Sequence, residues 1–287
     1  MSPEPRISFG FGRFAVDLPP ESKLRGRQQA IAHLPITAAA LAPRETLGTI
    51  VDRVQGEKRL LPPPPGVRAV VHSAGALLPD LWVIIFHDDP DTPESIAMEA
   101  VRVTGATAFW IRGGNTVDRV AAMEDAALRI GGAIVPSLDP NPPQPGFCID
   151  RGVVAMPFHY QESAEAFFGV GEGATLSLES HSNGDRLPQP LLQKHAVALP
   201  RLASVGVPVV TRRAGPRELA GLAGEEVVLI SPVGRGAAMQ WAYVGRERSA
   251  EHPSLSIGME LREGVDPEPA LATWDALLAS LRRRSDA

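Results

Sequence analysis

From Phe9 to Leu18 apolar residues alternate with small or polar ones: Phe9 and Phe11, then Phe14, Val16 and Leu18, with the phase slipping by one at Gly12. Period-two alternation marks a strand with one buried face, and an extra residue at a phase slip reads as a bulge, so the stretch predicts one bent strand. Further on the period changes. Leu47, Ile50, Val51 and Val54 fall at i, i+3, i+4 and i+7, the apolar stripe of an amphipathic helix between Pro43 and Val54. Strands are predicted around Arg68–His72, Leu81–His87, Ile96–Val103 and Ala106–Ile111, separated by Gly, Pro and Asp. Asn115 or Thr116 then caps a helix that turns Val117, Val120, Ala121, Ala127, Leu128 and Ile130 inward and ends at Gly131 and Gly132.

Residues 136–146, PSLDPNPPQPG, interrupt this pattern with five prolines. Proline fixes φ and donates no backbone hydrogen bond, so the run predicts a stiff linker rather than a regular element. Beyond it the pattern resumes. Strands are expected near Gly152–Met156, Ala166–Gly169 and Thr175–Ser180, then a helix carrying Leu191, Leu192, His195 and Leu199. More strands follow near Val207–Arg212, Glu225–Ile230, Ala237–Val244 and Ser254–Leu261. Asp266 and Pro267 form a cap and first turn for a last helix with Leu271, Trp274, Leu277, Leu278 and Leu281 inward, and Arg282, Arg283 and Arg284 suit its C-terminus. Strands mostly follow strands, which predicts α+β: two domains, each a mainly antiparallel sheet with packed helices. The expected division is 1–135, a linker at 136–146, and 147–287.

Composition narrows function more than fold. Hydrophobic residues at 44% and charged ones at 21% suffice for a core in each half. The net charge of −5 is spread evenly, 14 basic against 16 acidic residues before Pro145 and 14 against 17 after it, so neither half offers the basic field of a nucleic-acid binder. A single cysteine, Cys148, excludes an internal disulfide framework. No apolar run approaches the ~20 residues of a spanning helix, and no export signal is visible. On the sequence as given the expected location is cytoplasmic.

The candidate chemistry is thin. GFGRFA at Gly10–Ala15 satisfies a dinucleotide-type glycine pattern, but the following VDLPP cannot form the helix that pattern requires. Val71 stands where a nucleophile elbow around Ser73 needs glycine. Cys148 has no local partner signature and reads as a small buried side chain. FHDDPD is the densest group of metal-type ligands, yet it lacks the spacing that wraps a hard cation, and no HExxH, paired CxxC or phosphate-binding GxxxxGK[ST] occurs. Asn183-Gly184 reads as a tight turn, and AGLAGEE (Ala220–Glu226) as a turn followed by strand-edge charge. The expectation is no catalytic residue, no metal and no cofactor, and hence a binding protein. An enzyme centred on the Asp88–Asp91 loop and a self-assembling scaffold remain the alternatives.

Specific words carry a resemblance. PGFCIDRG (145–152), RELAGLAGEE (217–226), the strand ending at Trp241, HPSLSIGMEL (252–261) and WDALLASLR (274–282) resemble, in order and spacing, the C-terminal domain of the type VI secretion immunity proteins that neutralise Tle4-type phospholipase effectors. GRFAVDLP (12–19) is similar to the start of that family's N-terminal domain. The resemblance implies two α+β domains that grip a lipase-like toxin and keep substrate from it, with a periplasmic location if an export signal has been removed. It carries over no contact residue. Asp88, Asp89 and Asp91 are singled out as partner-binding only because exposed acids can steer a basic surface.

Overall fold

The computed structural model describes residues 6–284 apart from 160, 172, 183, 185 and 233–235, which leaves the Asn183-Gly184 turn outside the described residues. The chain opens on β1 (Ile7–Phe11), β2 (Phe14–Leu18), β3 (Lys23–Ile31), β4 (Leu34–Ala40), α1 (Leu47–Arg59), β5 (Val71–Leu78) and β6 (Leu81–Phe86). β7 (Ser95–Thr104), β8 (Thr107–Thr116), α2 (Val120–Gly132), β9 (Ile134–Pro136), β10 (Phe147–Ile149), β11 (Gly152–Val154), β12 (Glu162–Val170) and β13 (Ala174–His181) follow. The chain continues through α3 (Leu191–Ser204), β14 (Val210–Leu219), β15 (Leu222–Ile230), β16 (Ala237–Tyr243), β17 (Ser254–Leu261), α4 (Pro267–Ala279) and β18 (Arg282–Arg283). The architecture is α+β, and the strand registers are antiparallel.

The chain divides into two compact units, Met1–Gln28 with Phe158–Asp286, and Gln29–Pro157. This is not the division that the proline run suggested. β11 pairs with β10 on one side and with β9, from before the prolines, on the other. Ser137 N donates to Arg151 O at 2.8 Å. The run is therefore a loop closed at its base by a three-stranded sheet inside the second unit. Chain that returns to pair with the strand preceding a proline segment turns that segment from a spacer into a loop.

In the first unit the strand order is β14-β15-β16-β17-β13-β12-β3. The inner face of this sheet, with Phe168, Leu176, Leu178, Ile257, Met259, Met239 and Trp241, packs on α4 and on the β1–β2–β18 sheet. Asp266 caps α4 by accepting from Glu268 N at 3.0 Å, and all five leucine and tryptophan positions expected inward, Leu271 to Leu281, are buried. One expectation changes here. Phe9 to Leu18 is a hairpin rather than a bent strand: Phe11 faces Phe14 across Gly12 and Arg13, and Gly12 takes φ 56°, which reverses the chain where a bulge would only bend it. Arg282 and Arg283 add β18 to β2, with Arg282 held by Asp17 at 2.9 Å, and Arg282 also donates to the carbonyl of Ser280, the C-cap of α4, at 3.0 Å, as expected of a cation at a helix C-terminus.

The second unit carries β4-β8-β7-β6-β5, preceded by the last residues of β3, two of which, Ala30 and Ile31, pair with β4. α1 starts at a reciprocal cap in which Thr46 and Thr49 each accept the other's backbone N–H. Its Ile50 and Val54 pack on Trp82, Ile84 and Phe86. Leu81, of opposite parity on β6, lies against Gly131 of α2. Helices thus cover both faces, which is why LWVIIF runs without a polar break and is buried throughout. In α2 the inward set is Met123, Ala127 and Ile130, so Ala121 and Leu128 face outward, contrary to expectation. Val71–Leu78 and Val210–Leu219 begin three residues later than the strands expected there.

Candidate functional site

Two of the three carboxylates in the acidic loop behind β6 are hydrogen-bonded locally. Asp89 accepts from Asp91 N at 2.9 Å, and Asp88 accepts from Ser95 Oγ at 2.9 Å. The Asp91 amide, with Thr92 adding to it, holds the Asp89 carboxyl below its ordinary value of 3.8. Asp88 and Asp91 are exposed and Asp89 half-exposed, and no group of three potential metal ligands forms among the described residues. His87, next in line, is buried with its ring 6.0 Å from that of His72. Ser73 lies within β5 rather than at a turn, and its hydroxyl donates to Glu124 at 3.2 Å. Cys148 is fully buried, as a small core side chain.

A second cluster is tighter. Trp274 Nε1 and Arg217 Nη1 both donate to Glu226 Oε1 at 2.7 Å. Arg213 binds both oxygens of Asp275, at 2.7 and 2.9 Å, and Arg217 reaches the same carboxylate at 2.9 Å. Arg213, with Arg217 beside it, holds the Asp275 carboxyl below its ordinary 3.8. Trp241 Nε1 donates to Arg217 O at 2.8 Å, and its ring lies where a side chain on Gly224 would have to go. Ala220 and Gly221, at φ 50° and 74°, make the two-residue turn that brings Arg217 opposite Gly224. Glu226 is therefore not a strand-edge charge; it is 7% exposed and its Oε1 accepts from both Arg217 and Trp274. The words RELAGLAGEE, Trp241 and WDALLASLR meet in one structural knot, each supplying the partner of another.

The outer face of the first unit's sheet differs in kind. A groove of about 500 Å³ is floored by Thr175, Ser177, Ser256, Gly258, Ala238 and Gln240 and edged by Phe167, Arg25, Glu179 and Glu260. Small side chains on adjacent strands leave the volume open. A neighbouring hollow of about 550 Å³ runs toward Leu202, Val207, Pro208 and Val209, sharing Ala238 and Glu260.

The sequence matches the Tle cognate immunity protein 4 C-terminal domain over residues 140–286, just over half of the chain. The chain belongs to that family. Among solved structures, a chain of the crystal structure of the Tle4–Tli4 complex aligns with a TM-score of 0.88 and 22% identity over 100% of both chains. The apo structure of the immunity protein TplEi of the T6SS from Pseudomonas aeruginosa gives 0.86 and 22% over 98% of each chain. TplEi complexed with "L" peptide gives 0.78 and 23% over 97% of this chain and 98% of that one. No curated protein sequence matches. These likenesses establish that the family's fold runs through the whole chain, including the N-terminal part that the family match does not reach. No helix among the described residues is long and apolar enough to cross a membrane.

As a member of this immunity family the chain separates into scaffold and surface. The matched words build the Trp274–Glu226–Arg217 knot and the core, and two of them, HPSLSIGMEL and the strand ending at Trp241, also supply the groove residues Ser256, Gly258, Glu260, Ala238 and Gln240, whose outward side chains sequence reasoning did not single out. The groove's only signal was the polar half of each strand's alternation, Thr175, Ser177 and Glu179 or Ser254, Ser256 and Gly258, which reads as ordinary solvated surface.

Proposed function

We propose that this protein is a type VI secretion immunity protein that binds one cognate phospholipase-type effector and neutralises it by stoichiometric capture, blocking access of substrate. Membership of the Tle cognate immunity family carries this reading. The full-length fold match to a chain of the Tle4–Tli4 complex supports it. Contact patches on both units would make the second contact intramolecular once the first has formed, and so multiply a modest affinity. Asp88, Asp89 and Asp91 act in this account as exposed charge that speeds encounter with a basic surface, not as anchors. The chain has no turnover of its own in this reading. It works in the periplasm, the compartment such effectors are delivered to.

The test is co-expression with the effector encoded beside it. Bacteria producing the effector in the periplasm should survive only when the full chain is directed there as well, and the two proteins should purify together. Survival without complex formation, or hydrolysis of a short-chain ester by the chain alone that is lost on substituting Asp88 or Asp89, points instead to an enzyme.

A further inference from the structure

The outer face of the first unit's sheet keeps three features that stability alone does not explain. The first is apolar exposure. Five of the twelve large hydrophobic residues exposed among the described ones, Leu187, Val197, Val205, Val207 and Val210, fall within residues 187–210, and a sixth, Phe167 on β12, edges the groove next to the hollow that Val207 lines. Concentrated apolar exposure of this kind marks an interaction surface.

The second is a helix that is only half seated. Of α3 only Leu191 is buried, and the helix is tied at its N-terminal end, where Leu192 N donates to Glu225 Oε2 at 2.8 Å. Pro200 lies inside it and cannot donate to the backbone one turn earlier. Its C-terminal half and residues 206–209 therefore border the hollow at Leu202 and Val207, an apolar wall with little holding it in one place.

The third is charge. Glu165 and Glu179 are direct cross-strand partners on β12 and β13, a like-charged pairing that weakens a sheet. Glu165 has His181 at 3.5 Å, but Glu179 and Glu260 have no ion-pair partner among the described residues. Arg25 is the single cation among the groove's lining residues. A carboxylate-lined groove repels phosphate, so neither a lipid headgroup nor a nucleic acid fits it; a cationic polypeptide does.

We propose that this groove is where the effector docks an amphipathic segment, its apolar side against Val207, Val209 and Phe167 and a lysine or arginine between Glu179 and Glu260. The small floor residues let the segment approach closely, and its cation relieves the repulsion between Glu165 and Glu179. This proposal rests on the effector-capture reading above and names the surface that performs it.

The experiment is a calorimetric titration of the full chain with the purified effector from the adjacent gene, at low and high salt, alongside three exposed-face variants: Ala238→Trp to fill the floor, Val207→Asp to break the apolar wall, and Glu179→Lys to reverse the charge. Each variant should bind about tenfold or more weakly while melting no earlier than the parent, Glu179→Lys slightly later because it faces Glu165, as expected where a few central residues dominate an interface. Glu179→Lys should also lose part of the salt dependence of binding. Glu57→Lys, on the exposed side of α1, should bind as the parent does. Binding by the parent with all three groove variants within about twofold of it overturns the groove and leaves the capture reading standing, since hot-spot truncations cost far more than that. Failure of the parent itself to bind overturns both.

Discussion

β6 in the second unit and β13 in the first are strands of similar length in antiparallel sheets, yet they are buried differently. All six residues of β6 are buried because α1 and α2 cover both faces. In β13 Leu176, Leu178 and Ser180 are buried while Thr175, Ser177 and Glu179 are not. The difference shows where a sheet has finished its work. A sheet sandwiched between helices has no face left for a partner, whereas one whose outer face is covered only in part, by α3 near β15, keeps a surface whose residues are free of packing constraints.

The comparison predicts a hierarchy of mutational cost. The largest effect should come from the buried ion pair at the start of β12, where Arg13 grips Glu162 at 2.6 and 3.0 Å with both side chains 5% exposed. Arg13→Ala strands a buried carboxylate and should cost about 3–5 kcal/mol in chemical denaturation. Next come the two faces of β6: Val83→Ala and Ile84→Ala should each cost roughly 2–4 kcal/mol, because each empties a packed site. In β13 the same test should split, with Leu178→Ala comparably costly and Ser177→Ala within about 0.5 kcal/mol of the parent. A cheap Val83→Ala or a costly Ser177→Ala breaks the contrast.

Much of this fold was legible because burial writes a period into sequence. LWVIIF reads as a strand from its unbroken apolar run, and the start of α4 is placed correctly because Asp266, Pro267 and a regular leucine stripe agree, although the helix ends at Ala279, before Leu281. β3 and β4 were missed. KLRGRQQAI and LPITAAA bury only Gln29, Ile31, Leu34 and Ile36, too few to show alternation against charged and alanine positions. The proline run misled because proline reports local stiffness, while the pairing of β9 with β11 is a non-local fact. The resemblance words predicted the family, yet they announce the inward residues of the Trp274–Glu226–Arg217 knot and the core, while the outward residues of the same strands, such as Ser256 and Gly258, gave no sign of a groove. Core geometry constrains which residues must occur together, and an open face imposes no such constraint.

Smaller effects follow from titration, and they separate the first unit's inner and outer layers. Asp275, held below 3.8 chiefly by Arg213, contributes stability that is present above the unfolded value and lost as pH falls through the folded one. Burial lowers His252 below 6.5, with Arg246 and Arg283 adding to it, so the unfolded chain takes up that proton first and stability should fall as pH drops from 6.5 toward the folded value. Urea melts between pH 7 and pH 3 should show both slopes, with Asp275→Asn removing the lower and His252→Gln the upper, while the outer-face Ser177→Ala leaves both unchanged. The smallest effect should be of opposite sign: Glu179→Gln relieves the Glu165 repulsion and should stabilise the free protein by about 0.2–1 kcal/mol while weakening capture.

Capture itself is tested most directly by titrating the purified full chain into a fixed amount of active effector and following phospholipid hydrolysis. The account predicts that activity falls linearly and vanishes at one chain per effector, as tight binding without turnover requires. Full hydrolysis persisting at a several-fold molar excess of the chain, in a mixture where both proteins are folded, would contradict it.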